Sequence, residues 1–104
     1  MEIKKTGRRE SIDHREEGFF MAIEREDLNC PTLSRIWHSF YDGLSIWPNH
    51  SKLIIGELTT LDKFFHTNPK CEFMPQQWPT LRNRLSDFFR DAASTDSMIY
   101  TQSD

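Results

Sequence analysis

The segment HTNPKCEFMPQQWP, residues 66–79, constrains this 104-residue chain more than any other. Pro69, Pro75 and Pro79 each lack a backbone donor and clash with a preceding helical turn, so no helix can run through it. The flanking stretches must therefore fold as separate elements, joined by a connection that still carries Cys71, Phe73, Met74 and Trp78. Connections this long without regular structure are uncommon in compact domains and are either functional or disordered. Aromatic content argues against disorder, so the sequence predicts a long structured loop over 67–78.

Helical periodicity is clear on both sides of it. Ile54, Leu58, Leu61 and Phe65 recur at three- and four-residue spacing, flanked by Leu53, Ile55 and Phe64, which predicts a helix from Ser51 to about His66. Asn49 or Ser51 can cap its start, and Asn68-Pro69 stops it because a residue before proline disfavours the helical region. A second helix is expected from Thr32 to Tyr41 or Gly43, with Leu33, Ile36, Trp37, Phe40 and Leu44 on its stripe, Pro31 in its first turn and Asp42-Gly43 at its end. A third is expected from Pro79 to about Ala93, with Leu81, Leu85, Phe88, Phe89 and Ala92 facing inward.

The N-terminal element reads two ways. Ser11 to Asp27 suits a helix, since clustered acids ahead of an apolar run favour the positive end of a helix dipole. Gly18 to Arg25 also alternates as a strand would, with Phe19, Met21 and Ile23 on one side. The helix is the favoured reading, although a mid-helix Gly18 would cost about 1 kcal/mol relative to alanine. The expectation is a mostly α, single-domain irregular bundle of three to four helices over 11–93. Residues 1–10 are expected to form a flexible basic arm and 94–104 a polar tail, mobile apart from Met98-Ile99-Tyr100.

Charge is unevenly spread. Lys4, Lys5, Arg8 and Arg9 face Glu2 alone in the first nine residues, whereas 10–28 hold seven acids against Arg15 and Arg25. The net charge of −3 argues against a domain built mainly for a nucleic-acid backbone. No apolar run approaches the roughly 20 residues that span a bilayer, and no apolar region follows the basic start as a secretory signal requires. A cytoplasmic chain with Cys30 and Cys71 as free thiols is expected.

Chemical signatures are sparse. His14, His38, His50 and His66 join the two cysteines, yet only His66 and Cys71 lie close in sequence and no second pair completes a zinc-type ligand set. A Cys71–His66 nucleophile pair would need the loop to fold back on itself. Gly7, Gly18, Gly43 and Gly56 are too scattered to build a phosphate-binding loop. Neither a catalytic residue, a metal nor a cofactor is expected.

Two binding readings remain. Lys4, Lys5, Arg8 and Arg9 could contact phosphates, as could Arg82, Arg84 and Arg90 on the last helix, were Asp87 and Asp91 not interleaved there. Protein recognition accounts for more. Trp47-Pro48 and Trp78-Pro79 set indoles at helix boundaries, and tryptophan is enriched among binding hot spots. Phe73-Met74 supplies an adaptable loop surface, and Met98-Ile99-Tyr100 could pair with a sheet edge. The expectation is a small non-enzymatic regulator or inhibitor of a larger protein. Trp47, Phe73, Met74, Trp78 and Tyr100 would be its contacts, although Trp78 also reads as a core plug one turn below Leu81, and the basic arm is the nucleic-acid alternative. Its size invites comparison with compact viral, plasmid or antitoxin-like proteins, and its apolar helical faces would suit a homodimer.

Overall fold

The computed structural model describes residues 1–39 and 42–101. Over that range the chain runs β1 (Glu2–Ile3), α1 (Gly18–Arg25), α2 (Pro31–Ser39), β2 (Ser45–Ile46), α3 (Pro48–Thr67), α4 (Trp78–Ser94) and β3 (Ile99–Tyr100). It is mostly α, as expected, with a small three-stranded sheet added. Phe40 and Tyr41, where the second helix was expected to continue, lie outside the described residues. Gly43 adopts φ 80°, a left-handed conformation in keeping with a chain reversal there.

α3 and α4 form the centre. Ile54, Leu58, Leu61 and Phe65 of α3 and Leu81, Leu85, Phe88, Phe89 and Ala92 of α4 are all buried in one core. The expected starts were late by one residue for α4 and three for α3. Pro48 and Pro79 occupy the first turns, where a missing N–H removes no intrahelical bond, so each tryptophan–proline pair opens a helix.

The N-terminal element resolves as helix, shorter than expected. Asp13 and Glu16 bond reciprocally: the Asp13 carboxylate accepts from the Glu16 N–H at 3.1 Å, and the Glu16 carboxylate accepts from the Asp13 N–H at 3.1 Å. That local box holds the acidic run in its own turn, and α1 begins only at Gly18. Phe19, Phe20, Ala22 and Ile23 are then buried together, which strand alternation would not allow. Asp27 at φ 51° ends α1, with the Leu28 N–H reaching back to the Ile23 carbonyl at 3.0 Å.

The sheet overturns the expectation of a flexible arm over 1–10, which is tied to the Met98-Ile99-Tyr100 stretch excepted from the mobile tail. β3 is central and pairs antiparallel with both neighbours, which puts Ile3, Ile99 and Ile46 in one cross-strand row. All three are essentially inaccessible. In each two-residue strand the isoleucine is buried while its strand neighbour, Glu2, Ser45 or Tyr100, stays partly exposed. A tight turn at Gly7 (φ 72°) folds residues 7–10 back along β1, with the Ile3 N–H donating to the Arg8 carbonyl at 2.8 Å. Met1 closes this fold, its ammonium donating to the Glu10 carbonyl at 2.8 Å.

The long connection is structured, as expected. The N–H groups of Cys71, Met74 and Trp78 donate to the carbonyls of Asn68, Cys71 and Pro75, which makes three consecutive turns. Cys71, Phe73 and Met74 pack partly against the core. The loop also presses on α1: a Cβ at Gly18 would lie 2.6 Å from the Phe73 carbonyl oxygen, so glycine is required there.

Candidate functional site

The residues nominated by sequence separate into three locations. Trp78 is 3% exposed, wedged 4.9 Å from the Phe65 ring and 5.8 Å from the Phe19 ring. Its indole N–H donates to the Asp62 carboxylate at 3.1 Å. It is a core residue and not a free contact surface, which corrects its nomination. Of the two roles the sequence allowed it, contact and core plug one turn below Leu81, it takes the plug.

Phe73 and Met74 are half-buried against the core at the C-terminal end of α3, where a shallow groove is lined by Phe64, Cys71, Phe73, Glu26 and Lys70. His66 is exposed and does not line that groove, so nothing there pairs it with Cys71. Among the described residues no three of His, Cys, Asp or Glu converge as metal ligands. The Cys30 thiol is buried, and burial followed by the charge of Glu57 pushes it up to about 11, the opposite of an activated nucleophile.

Trp47 is different. It opens α3 and is 54% exposed, while Leu53, nearly two turns on, is 56% exposed. They are the large apolar side chains left to solvent among the described residues. Trp47 and His50 together line two grooves, so the indole is a ridge between them. One groove, about 300 Å³, lies towards α2 and is walled by Ile36, Leu44 and Leu53 with Arg35 beside them. The other, about 950 Å³ and open, runs past Lys4, Lys5, Asp96 and Met98. Leu53 and Asp96 were not singled out as site residues, His50 was weighed only as a metal ligand and Met98 only for sheet-edge pairing. Only the packing of β1 and β3 beside α3 gathers them.

The four basic residues of the supposed arm divide in the same way. Arg8 pairs with Asp91 at 3.2 Å and lies over the Phe88 ring, and Arg9 pairs with Glu2 at 2.7 Å. Lys4 Nζ donates to the Tyr100 hydroxyl at 3.4 Å and sits over its ring, and Lys5 Nζ donates to the Thr95 carbonyl at 3.0 Å. Among the described residues, Lys4 and Lys5 are thus the pair without a carboxylate partner. Tyr100 is half-buried beneath Lys4 and supports the groove more than it presents itself.

The α3 N-terminus adds to this field. Its cap, Trp47, makes no side-chain hydrogen bond to the first turn, and that turn holds no acid. The positive end of a 20-residue helix therefore faces the same groove as the two ammonium groups. A helix of that length spans about 30 Å, so the Phe73–Met74 surface lies at its opposite end.

Comparison with protein-family models, with curated proteins and with solved structures finds no match for this chain. No helix among the described residues is long and apolar enough to cross a membrane.

Proposed function

We propose that this chain is a small non-enzymatic protein-recognition domain that regulates or inhibits a larger protein docked over Trp47. The observation that carries the reading is the exposure of Trp47 and Leu53 on one side of α3, beside a core that shelters nearly every other large apolar side chain. An indole set on a rigid helix start needs little ordering on binding, which is why tryptophan dominates hot spots. Phe73 and Met74 form a secondary surface in this reading, since both already spend area on the core.

The nucleic-acid alternative is weakened by the ion pairs at Arg8 and Arg9, which leave two lysines where a phosphate-tracking arm would use four bases. Affinity capture from host lysate, with and without nuclease, tests the proposal. Protein partners retained after nuclease and lost with Trp47→Ala or Leu53→Asp are expected. Capture that vanishes with nuclease would transfer the reading to nucleic acid. Capture indifferent to both substitutions but lost with Phe73→Ala and Met74→Ala would move the contact to the loop.

A further inference from the structure

Resting on that reading, we propose that the groove between Lys4-Lys5 and the start of α3 takes an extended acidic segment of the partner protein, with one large apolar side chain held against Trp47. The argument is charge complementarity around an apolar floor. Trp47, Pro48 and Met98 supply apolar wall, and Lys4 and Lys5 stand over it without carboxylate partners. His50 also lines the groove and adds a polar ring beside the lysines. The uncapped first turn of α3 directs its positive end to the same space.

The opposing charge in the groove is Asp96, which sits at φ 51° in the turn that ends α4. Its carboxylate would repel an acidic guest. The groove is open, not a closed cavity, which suits an extended peptide better than a compact small molecule. The chain's own net charge of −3 confines this attraction to a local patch, which disfavours a long polyanion and suits a short acidic stretch.

The test is a phage-displayed library of random 12-residue peptides panned against the full chain, followed by titration of the synthetic consensus peptide. The expected consensus is rich in Asp and Glu around one aromatic or leucine. Its affinity should fall roughly tenfold with Lys4→Glu/Lys5→Glu, fall with Trp47→Ala, and weaken as salt rises. Asp96→Gly, which suits a left-handed position and removes the opposing charge, should bind more tightly than wild type. Lys63→Glu, outside the groove, should bind as wild type does. Thermal melts establish that each variant folds, and the salt titration of the unmodified chain keeps the test valid if one does not.

A neutral or basic consensus overturns the proposal, as does an acidic one indifferent to Lys4, Lys5 and Asp96. So does salt-sensitive capture of a random 20-nucleotide DNA or RNA in place of any peptide. If no Trp47-dependent peptide emerges while a host partner is still lost with Trp47→Ala, the acidic-peptide inference falls and the protein-recognition reading stands.

Discussion

The carboxylate of Glu57, in the middle of α3, accepts a 2.8 Å hydrogen bond from the backbone N–H of Leu33 at the start of α2. It also accepts from the Thr32 N–H at 3.2 Å. Pro31 leaves α2 with no donor at its first position, and Glu57 satisfies the next two while placing negative charge at the positive end of the helix. A cap that α2 would ordinarily take from its own flanking residue is supplied from another helix, so the bond holds the α2–α3 pair as well as ending the helix. Glu57 is buried, so removing its carboxylate leaves two donors unsatisfied in a dry place. Glu57→Ala should destabilise the fold by about 2–4 kcal/mol, with Glu57→Gln less severe because one acceptor remains. Denaturant titration of both variants reads this directly, and equal midpoints for wild type and Glu57→Ala would discount the cap.

Beside it, the Cys30 thiol donates to the Glu57 carbonyl at 3.5 Å and is held up to about 11, first by burial and then by the Glu57 charge. The native state therefore keeps its proton after the unfolded thiol, near its ordinary value of about 8.5, has begun to lose it. Below that ordinary value the contribution is fully present. As pH rises through the window to about 11 the unfolded chain binds fewer protons than the native one, and stability falls. The loss should be on the order of 2–3 kcal/mol relative to Cys30→Ala, in which the linkage is absent. Parallel stability curves for the two proteins between pH 8 and 11 would refute it. At neutral pH, iodoacetamide should modify half-buried Cys71 and spare Cys30 until the chain unfolds.

The two most instructive glycines both lie in helices and should respond oppositely to alanine. At Gly18 a new Cβ meets the Phe73 carbonyl oxygen at 2.6 Å, and backbone on both sides has to yield. Gly18→Ala should destabilise by about 1–3 kcal/mol despite alanine's better helix propensity. At Gly56, in the interior of α3, nothing lies within 4 Å of the new atom, so Gly56→Ala should stabilise by about 0.5–1 kcal/mol. Thermal melts of the pair decide it, and a stabilised Gly18→Ala would mean that the loop does not press on α1.

Those positions also mark what the sequence could and could not disclose. Leu33 and Ile36, Ile54 to Phe65, and Leu81 to Ala92 repeat at helical spacing, because each helix buries one face, and that signal survives in one dimension. The strands are two residues each, too short for alternation to register, and each contributes a single buried isoleucine. Lys4 and Lys5 read as an arm because the partner that orders them, β3, lies at the far end of the chain. Glu57 carries no local signal of its role, since that role is set by α2. The acids of 10–17 read as a helix start, yet Glu10 and Glu16 are the partners of Arg84 on α4. Long-range pairing of this kind leaves no spacing to detect. Hence the groove at Trp47 was legible only as a tryptophan beside a proline.

Arg84 is the fastener for that acidic segment. One guanidinium donates to the Glu16 carboxylate at 2.8 Å, to the Ser11 carbonyl at 2.9 Å and to the Glu10 carboxylate at 3.2 Å. The bond to Glu16 is the largest contribution to raising its affinity for the proton, so it stays charged throughout. Arg84→Ala should free residues 10–17 and cost about 1–3 kcal/mol. Arg84→Lys should recover little, since one ammonium cannot span three acceptors. Limited proteolysis provides the local readout: cleavage within 10–17 should appear at native temperature in both variants and not in wild type. Resistance in Arg84→Ala would show that the segment is held by other contacts.

The last contrast separates the two tryptophans that open helices. Trp78→Ala removes an indole packed among Phe19 and Phe65 together with one donor to the Asp62 carboxylate, which keeps Arg82 at 3.3 Å, so it should cost about 3–5 kcal/mol. Trp47 contributes little to the core, and Trp47→Ala should change stability by no more than about 0.5 kcal/mol. The same substitution should nevertheless abolish partner capture, whereas Leu53→Asp should reduce it without loss of fold. A residue that is dispensable for folding and necessary for binding has its large apolar surface accounted for by a partner. Thermal melts beside capture assays test both halves at once. A Trp47→Ala protein that unfolds early would recast the indole as a structural lid over β2, and one that still captures its partner would remove the ridge from the binding surface.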